Sequence, residues 1–479
     1  MSRRAALPAL AALLLAGCAA VPPVEPQVAQ VAPGALGLDP AARTAIADRW
    51  WTAFGDPQLD RLVEAGLAGN PDLAAALARV RAAQAAIGAR QADSLPQVSA
   101  DAQSPRQRFP EHYIMPSPIG GSTFWVPQVD AGLNWDLDLF GRNKAAVAQA
   151  RAGARAAGLD AAAARLTIAT AIAQAYIGLA HAARLQAVAD GFVATREQAL
   201  DLVRTRVRTQ LASDFDLRQA QTLLAEARQA QVRATEQHDL MIHALAALVG
   251  RGADFYGQIT PPTLALDDAP ALPDALPADL LGRRPDLLAA LARIDAASAG
   301  REIARAQFMP NVNISALAGF LSLGLDNLFK GGSVQWSAGP AIHLPIFEGG
   351  RLRADYRGAT AGLDEAVASY DGAVVRAVRD ASDAITQVRS ADRDLAAQAD
   401  IVGGLRETVR LDQVRVSTGL GSRLDAVESG FRLLEAEQGL VDLQAQALRR
   451  RVQLIAALGG GFDPNRTAQA ATHAGDPQS

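Results

Sequence analysis

The sequence is poor in cysteine, in aromatic residues and in net charge, and each shortage argues against a class of protein. Cys18 is the single cysteine among 479 residues, so internal disulfides and cysteine-based zinc sites are excluded. Aromatic residues account for 5% of the chain, whereas alanine is abundant, a composition that favours long, closely packed helices. The net charge of −4 provides no basic surface of the kind that nucleic-acid-binding proteins use.

Motifs of the common catalytic sites are missing as well. The chain has no Walker-type Gly-Lys-Ser/Thr loop and no zinc motif. His238 and His243 are five residues apart, which is the wrong spacing for a metal pair on one helix. Gly419-Leu420-Gly421 is interpreted as an irregularity within a helix rather than as a phosphate-binding loop. We therefore predict that the protein is not an enzyme.

Long apolar runs are missing beyond the N-terminus. Residues 7–16 form an apolar run behind two arginines, too short to span a bilayer and typical of a signal peptide. The run leads to Cys18 in the sequence Leu-Ala-Gly-Cys, which resembles a bacterial lipoprotein processing site; an ordinary secretory signal is the alternative. We predict that residues 1–17 are removed and that Cys18 carries a diacylglycerol and an N-acyl chain, with no other cofactor. By the precedent of the lipoproteins that this site resembles, Ala19 rather than aspartate after the cysteine favours sorting to the outer membrane.

What the chain does contain is alternation of apolar and polar residues in short segments. In residues 129–140, apolar side chains alternate with aspartate, asparagine and glycine, and a similar pattern returns about 200 residues later, in 334–346. Period two is typical of a strand with one apolar and one polar face. We predict an exposed loop at 104–127 and four strands, at residues 97–104, 127–139, 310–321 and 334–346.

Most of the remaining chain is interpreted as helix, and its pattern is repeated. Residues 71–98 align without a gap on residues 285–312, including the proline that ends each helix. Adjacent long helices with a short glycine-containing join form antiparallel hairpins. We therefore place turns at Gly191 and at Gly403-Gly404, between long helices at residues 142–190, 193–249, 350–400 and 404–458.

The repeats define the predicted domain organisation. A connector at 251–282 separates repeat 1, at residues 46–250, from repeat 2, at residues 283–460. Each repeat contains short helices, two strands and two long helices. The other segments are the signal peptide at 1–17, a lipidated tether at 18–45 and a flexible tail at 461–479.

Four strands are too few for one chain to close a transmembrane barrel. Single-chain barrels have at least about eight strands, and an open sheet in lipid would leave backbone groups unpaired. No other segment is apolar enough for a transmembrane helix, so a membrane crossing requires several copies to share one barrel; symmetry allows two, three or more. If the apolar face meets lipid, Asp130, Asn134, Asp136 and Asp138 line a watery lumen that favours cations. The alternative leaves Asp136 and Asp138 at the rim as solvated charges.

Short motifs throughout the chain match those of one bacterial family. The most specific is Leu280-Leu281 followed by Arg283-Arg284-Pro285-Asp286-Leu287, and one departure is Leu291, where the family commonly has glutamate. The other matching residues are Cys18, Trp50, Trp51, Phe54, Asp56, Pro57, Leu59, Asn70, Pro71, Asp72, Leu73, Leu139, Phe140, Gly141, Ala175, Tyr176, Ala304, Arg305, Ala306, Pro310, Pro345, Ile346, Phe347, Gly349, Gly350 and Arg351. From about Ala47 to Leu458, the chain resembles an outer membrane factor, that is, a TolC-like efflux lipoprotein of resistance-nodulation-division systems (NodT family).

The resemblance implies a homotrimer in the outer membrane. The fold would be mainly α with a β-barrel part, in which three chains contribute four strands each to a twelve-stranded barrel and long helices form a periplasmic α-barrel. The protein would be a passive conduit that exports small molecules, such as drugs and toxic compounds. Its partners would be outer-membrane lipid, a periplasmic adaptor (membrane fusion protein) and an inner-membrane resistance-nodulation-division transporter.

The resemblance also implies a constriction near the periplasmic hairpin tips. With the second tip at Gly403-Gly404, the candidates for the constriction and its ion pairs are Asp400, Arg406 and Asp412; ordinary solvated charges are the alternative. We expect the adaptor to contact the tips, at Asp190, Gly191, Gly403 and Gly404.

A lipid-anchored periplasmic coiled-coil adaptor or structural protein is the alternative function. Such a protein would share the signal and the helical hairpins. It would have no need for four alternating strands placed in pairs between the helical repeats. The strands therefore favour the channel.

Overall fold

Helices make up most of the computed structural model, which describes residues 21–31, 46–112, 114–267 and 280–463. Two of the helices have 67 residues each, about six times the average length in globular proteins. The described helices are α1 (Pro57–Gly69), α2 (Pro71–Ala92), α3 (Arg142–Arg208), α4 (Asp214–Val249), α5 (Leu280–Arg283), α6 (Pro285–Ala306), α7 (Arg351–Ser417) and α8 (Arg423–Ala457).

Both long helical hairpins turn later than the sequence analysis predicts. Helix α3 continues through Gly191, and α7 continues through Gly403 and Gly404, so the turns placed at these glycines are wrong. A glycine inside a helix costs about 1 kcal/mol relative to alanine, which weakens a helix without ending it. The observed turns lie at residues 209–213 and 418–422.

The chemistry of each turn explains its position. Ser213 and Asp216 form a capping box, in which the Asp216 amide donates to Ser213 Oγ and the Ser213 amide donates to Asp216 Oδ2. In the second turn, the Leu424 amide donates to Ser422 Oγ at 3.1 Å, and Gly419 has a left-handed φ of 74°. Both long helices therefore end where the next helix has a cap.

In the described residues, six strands form one antiparallel four-stranded sheet and one short hairpin. The order in the larger sheet is β1-β4-β5-β6, and its strands begin and end within three residues of the predicted segments. The strands are β1 (Gln97–Gln103), β2 (Arg106–Arg108), β3 (Thr123–Trp125), β4 (Gln128–Asp136), β5 (Asn311–Leu321) and β6 (Val334–His343).

The short hairpin β2–β3 lies in the segment predicted to be a loop, and it continues the β1–β4 pairing in register. Gln103 pairs with Gln128 and Arg106 pairs with Trp125, with two residues between these pairs on each strand. Within that gap, the amide of residue 126 donates to the carbonyl of residue 105 at 2.9 Å. Residues 97–108 and 123–136 therefore form one long hairpin that is interrupted at a proline.

The chain divides into two compact units, a sheet unit and a helical unit. The sheet unit comprises Arg79–Ala157, Ala289–Tyr370 and the described residues up to 30. The helical unit comprises the described parts of Val31–Ala78, Gly158–Leu288 and Asp371–Ser479. Each unit combines segments from both predicted repeats.

The helical unit has a conventional apolar core. Its fully buried side chains include Leu59, Ile172, Leu245 and Leu448, which come from four different helices. Abundant alanine lets these helices approach closely. The packing of these faces stabilises helices that would be marginal in isolation.

A buried polar network lies beside this core. The Tyr176 hydroxyl donates to Asp56 Oδ2 at 2.7 Å, and Gln58 Nε2 donates to the Tyr176 hydroxyl at 3.0 Å. Burial raises the pKa of Asp56, but hydrogen bonds from Tyr176, Gln58 and Thr263 outweigh it and hold the pKa below its usual value. Burial and the Asp56 contact raise the pKa of Tyr176. The Asp56-Pro57 and Ala175-Tyr176 motifs are therefore parts of one structural network.

One described helix is long and apolar enough to cross a membrane, contrary to the expectation that no helix would be. Helix α3 contains an 18-residue window with a mean hydropathy of 1.3. Of that window, 56% is buried, as in the core helix of a folded unit.

Candidate functional site

One face of the four-stranded sheet is apolar along its whole width. Register partners in an antiparallel sheet point to the same side, so the pairs Val98–Leu133, Leu133–Ala316 and Ala316–Ala338 form one row of side chains. The face consists of Val98, Ala100, Ala102, Val129, Ala131, Leu133, Trp135, Val312, Ile314, Ala316, Ala318, Phe320, Val334, Trp336, Ala338, Pro340 and Ile342.

Several side chains of this face are highly exposed in a single chain. Trp336, Val98 and Ile342 are 77%, 72% and 71% exposed, respectively. A contiguous apolar surface of this kind marks a protein or membrane contact. Alternation between this surface and a polar face is typical of strands in a transmembrane barrel.

The opposite face of the sheet is polar and carries three of the predicted lumen residues, Asp130, Asn134 and Asp136. Asn134 lies on this face, where its side chain accepts a hydrogen bond from Asn313 Nδ2 at 3.2 Å. Asp130 lies on the same face and pairs directly with Asp101 of β1. Asp101 was missed by the sequence analysis, because cross-strand pairing depends on a register that one weakly alternating strand does not reveal. Two carboxylates in one row create a negative stripe.

Asp130 is held in an unusual position within this face. It is 9% exposed, and its Oδ1 has no hydrogen-bond partner among the described residues. Gly319, its register partner on β5, approaches so closely that an added Cβ would lie 2.2 Å from the carbonyl of Val129. The next residue in the row, Gln335, has a buried Nε2 that likewise lacks a partner within the described ranges. The missing side chain at Gly319 therefore permits the close approach of β4.

Asp136 and Asp138 lie at the helix end of β4, and both contact the start of α3. Strand β4 ends at Asp136, whose Oδ2 pairs with Arg142 at 2.5 Å. Asp138 has a positive φ of 46°, and its two oxygens accept the amides of Asn143 and Lys144 at 2.9 and 2.8 Å. These amides belong to the first turn of α3, where an acceptor is needed. Asp138 is therefore a helix cap, and the predicted extension of the strand to residue 139 is wrong.

The three predicted constriction residues lie along α7 and do not pair with one another. Arg406 donates to Glu437 Oε1 from two nitrogens, at 2.9 and 3.2 Å, and Asp412 lies 3.7 Å from Arg415. Asp400 is exposed on the same helix. Within one chain, the contacts of Arg406 and Asp412 are thus with other residues, and the role of the three residues in a constriction stays a prediction.

The two residues predicted for the first hairpin tip lie inside helix α3. Asp190 Oδ1 accepts a hydrogen bond from Gln231 Nε2 of α4 at 2.7 Å. Gly191 faces α8, where an added Cβ would lie 3.2 Å from Leu434 Cδ2. Close helix packing, not a turn, accounts for this glycine.

The observed turns at 209–213 and 418–422 carry exposed apolar side chains. Gly403 and Gly404 lie more than three helical turns before the second of them. The turns themselves could have been found in the sequence, since Ser-x-x-Asp begins both following helices. The exposed apolar side chains at the two turns are Leu211, Phe215 and Leu420.

A groove lies between the two helical hairpins, beside the turns. It has a volume of about 360 Å³ and lies between α3, α4 and the start of α8. The Arg196 guanidinium lies 3.5 Å from the centroid of the Phe431 ring, on which Phe192 also stacks. Burial lowers the pKa of Arg196, against the attraction of Glu428 and two other glutamates. The two hairpins are therefore linked by a partly buried cation–π contact.

The described N-terminal residues are docked on the sheet unit. Val24 packs against a small cluster around Phe308, and Arg301 Nη2 donates to the Val24 carbonyl at 2.8 Å. Two backbone amides of this segment donate to Asp364 Oδ1, at 2.8 and 3.1 Å. The predicted tether is therefore an ordered strap over residues 21–30.

Several predicted features lie outside the described residues. These are the signal peptide at 1–17, the lipidation site Cys18, part of the connector, at 268–279, and the C-terminal tail from 464 onwards. The lipid anchor therefore stays a prediction.

Comparisons with known proteins agree with this geometry. A family model described as outer membrane efflux protein matches residues 62–251 and 276–460. The chain is 36% identical over 360 residues to the fusaric acid resistance protein FusA of Burkholderia cepacia, covering 73% of this chain and 68% of FusA. It is 32% identical over 469 residues to the outer membrane protein OprJ of Pseudomonas aeruginosa, covering 96% of each.

A solved structure has the same fold. The outer membrane protein VceC of Vibrio cholerae superposes with a TM-score of 0.79 at 32% sequence identity, covering 87% of this chain and all of VceC. The sequence-based resemblance to an outer membrane factor is thereby confirmed. The chain belongs to the outer membrane efflux protein family, and it is an outer-membrane efflux channel.

Proposed function

We propose that three copies of this chain close one twelve-stranded barrel, through which small toxic compounds leave the periplasm. The observation that supports this is the two-faced sheet. In the described part of one chain, β1 pairs only with β4 and β6 only with β5, so each has an edge for a neighbouring copy. A membrane tolerates no free sheet edge, and closure by identical chains satisfies both edges at once.

The apolar face meets lipid in this arrangement, and the polar face lines the lumen. Three copies of the Asp101–Asp130 pair then form a ring of carboxylates. Such a ring favours cations and disfavours anions. The close packing of Asp130 against Gly319 supports this role, because a packed side chain keeps a fixed position in the ring.

The helical hairpins extend the conduit into the periplasm, and the turns at 209–213 and 418–422 are the contact points for a periplasmic adaptor. The exposed Leu211 and Leu420 supply apolar contacts there. The adaptor joins the channel to an inner-membrane resistance-nodulation-division transporter, which supplies the energy. The channel itself is passive.

The constriction lies at the relocated second turn. Of the predicted residues, Asp412 is nearest to it, and Asp425 and Glu428 follow it on α8. The contacts of Arg406 with Glu437 and of Arg196 with Phe431 hold the helices of this region together. Opening requires these contacts to separate.

The lipid anchor acts through the docked N-terminal strap. Cys18 carries the acyl chains, three residues before the first described residue, and the strap is bound by Arg301 and Asp364. The anchor and the sheet unit thus approach the same membrane.

Planar-bilayer recording tests the conduit and its charge. The purified protein is expected to open discrete channels whose reversal potential in a salt gradient indicates cation selectivity. Asp130→Asn and Asp101→Asn should each lower that selectivity, because they remove charge from the ring. Asp254→Asn, the same change at an exposed position in the helical unit, is the matched control and should leave it unchanged.

Two results would contradict the proposal. Unchanged selectivity in both sheet variants would mean that the polar face does not line the conduit. A protein that stays monomeric on cross-linking and never conducts would favour a lipid-anchored periplasmic adaptor instead.

A further inference from the structure

The long β1–β4 hairpin carries its apolar face beyond the four-stranded sheet. Because β2–β3 keeps the register of β1–β4, alternation assigns Arg106, Arg108 and Trp125 to the same side as Val98 and Leu133. Trp125 is 45% exposed, and all three residues of β2 are exposed. On the lipid-facing side, the order along the hairpin is therefore an apolar band, then Trp125 with Arg106 beside it, then Arg108.

The spacing of two tryptophans fits the thickness of a membrane. Trp125 of β3 and Trp135 of β4 lie on the same face of one arm of the long hairpin, ten residues apart. At about 3.3 Å per residue this is about 33 Å, which a tilt of about 40° reduces to about 25 Å across the bilayer. That distance is the height of the apolar band between the aromatic girdles of an outer-membrane barrel. Arg106 and Arg108 therefore lie at the level of the lipid headgroups.

The hairpin of β5 and β6 likewise ends in an aromatic residue followed by a cation. The Phe329 ring packs against Phe320 of the apolar face, with centroids 5.6 Å apart, and is 74% exposed. Lys330 follows it, and its Nζ is held by Asn327 Oδ1 at 2.7 Å. The Gly324 amide donates to the Trp125 carbonyl at 2.9 Å, which joins the two hairpins.

Three cations thus lie beside two exposed aromatic rings at one end of the sheet. The Arg106 guanidinium lies 5.9 Å from the Trp125 ring centroid, a cation–π distance that keeps the charge close to the apolar band. The acidic residue of the β2–β3 loop is Glu111 and that of the β5–β6 loop is Asp326, and both are exposed. Positive charge therefore exceeds negative charge at this collar, which we define as Arg106, Arg108, Trp125, Phe329 and Lys330.

All four strand-to-helix junctions lie at the other end of the sheet. Helices α2 and α6 lead into β1 and β5, and α3 and α7 follow β4 and β6. With the helices in the periplasm, which is part of the proposed function, the collar lies at the outer leaflet. The phosphates of that leaflet belong to the lipid A part of lipopolysaccharide.

We propose that the collar is a binding site for the phosphate groups of lipid A. Arginine guanidinium groups bind phosphate oxygens through paired, charge-assisted hydrogen bonds. Trp125 and Phe329 contact the adjoining acyl chains, as aromatic residues do at membrane borders. The collar thereby fixes the height of the barrel in the membrane, and each protomer carries one site.

Native mass spectrometry of the detergent-solubilised full-length protein tests this site. The probes are lipid A with both phosphates, dephosphorylated lipid A and phosphatidylglycerol. Only the first should stay bound at low lipid concentration. Arg106→Gln/Arg108→Gln should weaken its binding by at least about tenfold, because two charge-assisted contacts are lost. The control variant, Arg204→Gln/Arg208→Gln, makes the same charge change at the end of α3, just before the turn at 209–213. It should bind lipid A like the wild type.

Several outcomes would overturn the proposal. These are equal binding of dephosphorylated lipid A, equal binding of phosphatidylglycerol, no binding of lipid A at all, or equal losses in the test and control variants. Bilayer conductance of the same samples separates the two proposals. A conducting variant that has lost lipid A supports the collar, whereas a wild-type protein that binds lipid A but never conducts contradicts the proposed conduit alone.

Discussion

The sheet unit and the helical unit distribute their apolar side chains in opposite ways. In the helical unit, Ile172, Leu245 and Leu448 are fully buried, as in a water-soluble protein. In the sheet unit, Trp336 and Ile342 are exposed on one apolar face, while polar residues share the other. The same chain therefore builds one unit around an inner core and one unit with an outward apolar face, which is the arrangement that the proposed barrel requires.

The sharpest test of this contrast truncates one apolar side chain in each unit. Leu448→Ala should lower the free energy of unfolding by about 2–5 kcal/mol, since it leaves a cavity among packed helices. Ile342→Ala should lower it by about 1 kcal/mol or less in detergent, because the side chain is already exposed. Thermal unfolding followed by the helical circular dichroism signal measures both. Equal losses would mean that the sheet face is packed within the protein.

Placing a charge on each face of one strand tests the membrane role directly. Ala338→Lys puts an ammonium on the apolar face at the middle of β6, where it should cost about 2–4 kcal/mol per protomer in the bilayer. Ser337→Lys, on the adjacent residue and the opposite face, is the control. We expect Ala338→Lys to reduce the amount of assembled protein in the outer membrane and Ser337→Lys to spare assembly while lowering cation selectivity. The reverse result would exchange the lipid and lumen faces.

The polar network of the helical unit predicts a pH effect. Asp56 has a lowered pKa, so its contribution to stability is present above the pKa of the unfolded chain and is lost as the pH falls through the folded-state pKa. Tyr176→Phe removes one donor to Asp56 and should cost about 1–3 kcal/mol near neutral pH.

The acid limb of the stability curve checks this mechanism. The pKa of Asp56 rises toward its ordinary value in Tyr176→Phe, so acid unfolding should begin at a higher pH than in the wild type. Tyr256→Phe, at the margin of the same core, is the control and should leave the acid limb in place. Parallel curves for Tyr176→Phe and the wild type would rule out the coupling to Asp56.

The two units also differ in what could be predicted from sequence. The positions of the strands and their two faces could be predicted from period-two alternation, because one face is apolar and the other is polar. The capping role of Asp138 was not predicted, since it depends on amides of a helix that begins after it. The pairing of Asp101 with Asp130 depends on strand register, and the docking of the N-terminal strap depends on tertiary contacts, so neither has a local signal. In the helical unit, the helices were recognisable but their turns were misplaced.

The smallest expected effect concerns the position of the second turn. It is tested by the same substitution, glycine to alanine, at two positions of the same hairpin. Gly403 lies inside α7 with no atom within 4 Å of an added Cβ, so Gly403→Ala should stabilise the protein by up to about 1 kcal/mol. Gly419 has a φ of 74°, which an alanine adopts at a cost of about 1 kcal/mol or more, so Gly419→Ala should destabilise it. Thermal unfolding should therefore move in opposite directions for the two variants. If Gly403→Ala destabilised the protein and Gly419→Ala did not, the turn would lie at Gly403-Gly404 after all, and the adaptor contacts would move there with it.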